Sequence, residues 1–66
     1  MRKLSPREQK VLALFVERGR LKPVADALGR SVHTVRTQKD SIMWKLGEKT
    51  SVGLVRAAIR KGLVKP

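Results

Sequence analysis

The stretch Val24 to Gly47, VADALGRSVHTVRTQKDSIMWKLG, leaves this chain few ways to fold. It reads as a short helix, a tight turn and a longer helix. Two helices that cross at close range need a small side chain at the crossing, and Ala25 supplies one. A turn of three or four residues between helices needs a residue at positive φ, which Gly29 adopts without the steric cost of a Cβ. Val35, six residues further on, faces back towards Ala25 and closes the pair. That is the spacing of a helix-turn-helix, a unit whose second helix enters the major groove of DNA.

The flanking segments look arranged to support this unit. Ser5-Pro6-Arg7-Glu8 opens a first helix: Ser5 is a good N-cap, Pro6 is tolerated at the first helical position, and Glu8 sits where a capping box wants a carboxylate. Val11, Leu12, Leu14 and Phe15 follow at helical spacing, and Gly19 ends the helix. Arg20-Leu21-Lys22 reads as a connection. Lys22 precedes a proline and is biased away from helix, so the second helix is predicted from about Pro23 to Leu28, burying Val24, Ala25 and Leu28. Ser31 caps a third helix over about 31–46, stopped by Gly47. A loop, Glu48-Lys49-Thr50, leads to a fourth helix over about 51–61, with Gly62 and Pro66 punctuating its end. The expected class is all-α, one four-helix domain spanning residues 1–66.

Composition narrows the partner. Sixteen Lys and Arg against five acidic residues give a net charge of +11 and favour a polyanion, with nucleic acid the default. The basic residues occur in every segment rather than on one face of one helix, which argues against a membrane surface. Only Phe15 and Trp44 are aromatic, so base stacking on single strands is poorly supported and duplex DNA is preferred. With no cysteine and one histidine there is no disulfide framework, metal site or cofactor to expect, and no paired carboxylates suggest catalysis. No apolar run could span a bilayer, and Met1-Arg2-Lys3 leads into no signal-peptide core, so a cytoplasmic location is expected.

On a wheel of ~100° per residue, Val35, Ile42 and Leu46 form the core face of the third helix, with Met43 at its edge. His33, Thr37, Asp40, Ser41 and Trp44 fall on the other side, with Arg36 at the margin. That side is either solvated or enters a groove; the preceding turn, the cap and the charge favour the groove. Arg36 can reach O6 and N7 of guanine through two hydrogen bonds, and Thr37 offers a methyl to thymine or a hydroxyl to a base edge. Asp40 either accepts from cytosine or pairs with Arg36 four residues earlier. His33 completes the candidate base contacts, with a merely solvated histidine as the alternative. Arg30, Ser31, Thr34, Lys39 and Lys45 are candidate phosphate contacts, which position a protein without reading sequence. Trp44 could pack on the first helix, lie over the sugar-phosphate backbone or sit between subunits; packing is the expectation.

LSPREQKVLALF followed by VADALGRSVHTVRTQKDSIMWKLG resembles the C-terminal DNA-binding domain of LuxR/NarL-type (GerE-type) bacterial transcription regulators. The resemblance rests on Leu4 to Glu8, Val24-Ala25, Thr34-Val35-Arg36 and Lys45-Leu46-Gly47, and it covers Leu4 to about Val64. It implies a four-helix fold, a dimer made through the last helix, and Arg36, Thr37 and Asp40 at the base-contacting positions; Thr34 and Lys45 match frequent phosphate contacts. Gly19 to Pro23 is one residue shorter than the family spacing, and Gln38, Asp40 and Trp44 depart from its usual residues. Sigma-factor region four is also similar at Arg36-Thr37-Gln38, but does not usually continue into a fourth helix. Family members usually carry an N-terminal receiver or ligand-sensing domain, for which this chain has no room, so a stand-alone regulator and an excised domain both stay open.

The fourth helix carries two apolar stripes, Val52, Val55 and Ile59 on one side and Leu54, Ala57 and Ala58 on the other. A domain this small covers one, and the spare stripe marks an interface. Val52, Val55 and Ile59 are the candidate dimer contacts, and a twofold dimer would set two recognition helices about one DNA turn apart, ~34 Å, on a palindromic site. The alternative is a protein-interaction module in which this helix grips RNA polymerase or another regulator. No small-molecule ligand is evident.

Overall fold

Ser5 fixes where the first helix begins. In the computed structural model, which describes residues 3–64, its side chain accepts the Glu8 N–H at 3.2 Å while its own N–H donates to Glu8 Oε1 at 2.9 Å. Two first-turn amides that have no intrahelical partner are thereby satisfied. The helix α1 runs Pro6–Arg18, followed by α2 (Leu21–Leu28), α3 (Val32–Leu46) and α4 (Ser51–Arg60). Pro66 lies outside the described residues.

The second helix starts two residues before the predicted boundary. Pro23 is its third residue, where the missing N–H costs nothing because first-turn amides have no partner. A proline ring clashes with the carbonyl four residues back, and that residue is Gly19, outside the helix. Leu21 also packs against the core, so extending α2 backwards buries an apolar side chain. Its ion pair, Lys22 Nζ to Asp26 Oδ1 at 3.9 Å, is solvent-exposed and contributes little.

The turn that sets α2 against α3 follows from Gly29, at φ 65°. This left-handed residue lets the Arg30 N–H reach back to the Ala25 carbonyl at 2.9 Å, closing the end of α2. Ser31 then caps α3, its Oγ accepting the Thr34 N–H at 3.1 Å. Ala25 and Val35 are both buried, so the two helices meet at their small residues.

One core joins all four helices: Leu4, Val11, Leu12 and Phe15 from the N-terminal segment and α1, Val24 and Ala25 from α2, Val35, Ile42 and Leu46 from α3, and Leu54 and Ala58 from α4. α3 packs against α1, α2 and α4. Thr50 caps α4 by accepting the Gly53 N–H at 2.9 Å. The stripe of α4 that turns inward is Leu54, Ala57 and Ala58, each fully buried. Two alanines bring the α4 backbone close, and the larger Val52 and Ile59 are left exposed on the opposite side.

Candidate nucleic-acid interface

The outward face of α3 follows from its inward one. With Val35, Ile42 and Leu46 buried, the helical period turns His33, Arg36, Thr37, Asp40 and Trp44 to solvent, and all five are exposed. Arg36 and Asp40 form no ion pair among the described residues, so both present their charges outward. Thr37 is more constrained than its sequence position suggests. Its hydroxyl donates to the His33 carbonyl at 3.1 Å, which leaves a methyl and acceptor lone pairs to face a partner. Trp44, for which packing on the first helix is the expectation, is 66% exposed on the outward side of α3.

The structure separates the candidate phosphate contacts into two groups. Arg30 is exposed beside the turn. Ser31 and Thr34 lie together at the start of α3, their hydroxyl oxygens 3.0 Å apart, with Ser31 Oγ occupied as the cap. Lys39 and Lys45 are instead drawn inward. Lys39 lies on the core margin of α3, its ammonium 5.0 Å from the centre of the Phe15 ring, whose face attracts a cation. Lys45 Nζ donates to Glu8 Oε1 at 2.7 Å. Neither ammonium points from the exposed face of the helix.

Glu8 has a larger part than capping. It is the one buried charged residue among those described, 9% exposed. Besides Ser5 and Lys45, it accepts the Ser41 hydroxyl on Oε2 at 3.1 Å. Ser41, expected on the outward face, is thus turned to α1. The Lys45 hydrogen bond, then the Ser5 N–H, and to a lesser degree Ser41 hold the Glu8 carboxyl down at about 2 against an ordinary 4.5, outweighing the opposing effect of burial. One carboxylate therefore locks the start of α1 to the C-terminal half of α3 and fixes the angle at which the exposed face is presented. Sequence reading found the capping box but not this tie. Its signal was Lys45 at the core-side flank of a helix, where a lone ammonium needs an acid.

On α4, Val52 is 64% and Ile59 39% exposed, with Val55 half-buried between them. Val52 and Val55, with Phe15 and Gly19, line an open apolar trough of about 380 Å³ between the end of α1 and the start of α4. Among the described residues no helix is long and apolar enough to cross a membrane, and no group of metal-ligating side chains comes together.

Known proteins share both the sequence and the fold. Residues 2–58 match the family described as bacterial regulatory proteins, luxR family. The chain is 41% identical over 54 residues to the transcriptional regulatory protein RcsB of Escherichia coli K12, covering 82% of this chain and 25% of that protein. It is 38% identical over 61 residues to the transcriptional regulatory protein MctR of Rhizobium johnstonii, covering 92% and 28%. The fold superposes on one chain of the Vibrio cholerae VqmA dimer, a LuxR-type receptor in the absence of its target DNA, at a TM-score of 0.88 and 29% identity, over 97% of this chain and 30% of that one. The chain thus spans about a quarter of the length of the first of these regulators. A helix-turn-helix followed by a capping fourth helix, matched over nearly its whole length, places this chain in the luxR family of bacterial regulatory proteins.

Proposed function

We propose that this domain binds duplex DNA sequence-specifically, with the exposed face of α3 in the major groove, and that it regulates transcription as a homodimer on a palindromic site. The observation that carries the reading is the exposed set His33, Arg36, Thr37 and Asp40, presented by a helix held on α1, α2 and α4. Arg36 reads guanine through O6 and N7; Asp40, free of Arg36, accepts from a cytosine amino group; Thr37 contacts a thymine methyl with its own methyl. His33 stands near the helix N-terminus. Arg30, Ser31 and Thr34 lie at the same end, where backbone amides and the helix dipole favour a phosphate.

The dimer reading rests on the exposed stripe Val52, Val55 and Ile59. The same stripe also suits a protein partner such as RNA polymerase. That reading predicts that α4 substitutions abolish activity in cells without weakening DNA binding.

The test is fluorescence anisotropy on two duplexes, one carrying the DNA upstream of the protein's own gene and the other its scramble, at two salt concentrations. A preference of ~10³-fold or more near physiological salt supports sequence-specific regulation of its own gene. Equal binding that collapses as salt rises reduces the activity to phosphate attraction by a +11 surface.

A further inference from the structure

Beside α3 lies a cleft of about 200 Å³ lined by Arg7 and Lys10 of α1, Leu28 at the end of α2, Arg30 of the turn and Gln38 of α3. Three basic residues line it and, among the described residues, no carboxylate does. Glu8, the nearest acid in sequence, is already taken up by Ser5, Ser41 and Lys45. The cleft also contains an unanswered polar group. Gln38 Oε1 is buried without a hydrogen-bond partner, and among the described residues the Gln38 amide makes no hydrogen bond at all. Buried amides rarely stay unpaired, because each forfeits the hydrogen bonds it had with water. Three basic residues without an acid, next to an unpaired amide, suit an anion.

The position of the cleft says which anion. Ser31, Thr34, Gln38, Ser41 and Lys45 recur at intervals of three and four residues, so they form one flank of α3, adjoining the exposed face that carries Thr37. If that face enters the major groove, this flank meets the sugar-phosphate strand bordering it. We infer that Arg7, Lys10, Arg30 and Gln38 form a seat for a DNA backbone phosphate, so that α1 anchors the duplex alongside the recognition helix; this rests on the DNA-binding function proposed above. The guanidinium and ammonium groups donate to the phosphate oxygens together with the Gln38 Nε2, and Gln38 Oε1 accepts from one of the three cations. Arg7 and Lys10 thereby become positioning residues that set register on the duplex without reading its sequence.

A free phosphate-bearing solute offers the same chemistry, and the experiment separates the two sources. Duplex binding is titrated by anisotropy from low to physiological salt for the wild type, for R7A/K10A and for the charge-matched control R18A/K61A, whose residues are exposed and lie away from the cleft. Circular dichroism confirms that each variant is folded. The expected result is a salt slope about 1 less steep in R7A/K10A, the loss of one neutralised phosphate, with roughly tenfold weaker binding at physiological salt and an unchanged slope in the control. A second readout is the side-chain amide of Gln38, one of only two glutamines in the chain, whose NMR signal should shift on adding duplex to the wild type and not to R7A/K10A.

An equal loss of slope in both double variants overturns the seat, since charge alone then explains it. So does an unchanged slope in R7A/K10A, which leaves the DNA-binding reading standing. Inorganic phosphate shifting the Gln38 amide while the R7A/K10A slope stays at the wild-type value assigns the cleft to a free anion and overturns the backbone seat. A wild-type domain that binds no duplex overturns the DNA-binding reading itself, and the backbone source with it.

Discussion

Replacing Glu8 by glutamine tests whether one carboxylate ties α1 to α3. Glutamine keeps the shape and can still serve the capping box, so the substitution removes the charge while sparing the cap. A carboxyl held at about 2 instead of 4.5 corresponds to roughly 3 kcal/mol of folding free energy at neutral pH. Glu8 and Lys45 are not sealed from water, their side chains being 11% and 25% exposed, and screening reduces the expected loss to about 2 kcal/mol. For a domain of this size that is a fall in Tm of about 8–16 °C. The sign of the pH dependence follows from the lowered value. The contribution is complete above pH 4.5, where the carboxyl is ionised in both the folded and the unfolded chain, and is lost as pH falls towards 2. Thermal melts followed by circular dichroism at about pH 7, 4 and 2 should therefore show wild type and E8Q well separated at neutral pH and converging in acid. A gap smaller than about 0.5 kcal/mol at neutral pH, or one of constant size into acid, would refute the assigned role.

Three further outcomes are expected. G29A places a Cβ at φ 65° in otherwise open space; the left-handed backbone should cost about 1–2 kcal/mol, read as a lower urea midpoint with unchanged slope, and a neutral result would mean the turn tolerates another geometry. R36A should weaken binding to the specific duplex by about 1–3 kcal/mol and relax preference at one base pair, as measured by anisotropy on single-base variants; a uniform loss on all sequences would make Arg36 a backbone contact. V55D should leave the monomer folded, because Val55 is only half-buried and the inward stripe is Leu54, Ala57 and Ala58. It should abolish self-association in sedimentation equilibrium, and an unchanged mass would place any dimer interface elsewhere.

Much of this architecture is legible in the sequence because the deciding features are local. Ser5 with Glu8, Ser31 before Val32, and Gly29 and Gly47 at the helix ends each act within one turn of chain, and the structure has them where the sequence indicates. The start of α2 is less legible. The bias on a residue before proline is overridden in a first turn, where the carbonyl that Pro23 would meet falls outside the helix and Leu21 gains burial. The exposed face of α3 follows from periodicity, but what its flanks touch does not. Lys45, Ser41 and Lys39 look like solvent-facing polar residues until α1 brings Glu8 and Phe15 beside them from far along the chain. The cleft formed with Gln38 is of the same kind, since Arg7, Lys10, Arg30 and Gln38 share no local pattern. Which stripe of α4 turns inward depends on close approach to α3, where two alanines fit and Val52 and Ile59 would not.

The bond between Glu8 and Lys45 spans 37 residues and closes a ring of chain containing nearly all of α1, α2 and α3. The fourth helix lies outside that ring. Its own side-chain tie, Arg60 Nη2 to Glu48 Oε2 at 3.9 Å, is long and has an exposed guanidinium, and it is held by Leu54, Ala57 and Ala58. Such a domain has a natural line of partial opening: α4 can detach while the ringed helices stay together. Native-state hydrogen exchange would then show the α4 amides exchanging through a lower-energy opening than those of α3. If a second copy covers the outward stripe, association would suppress that opening, and the protection of the last helix would rise with protein concentration while that of the ringed helices stayed constant. The docking of α4 and the pairing of subunits would then be two aspects of one equilibrium.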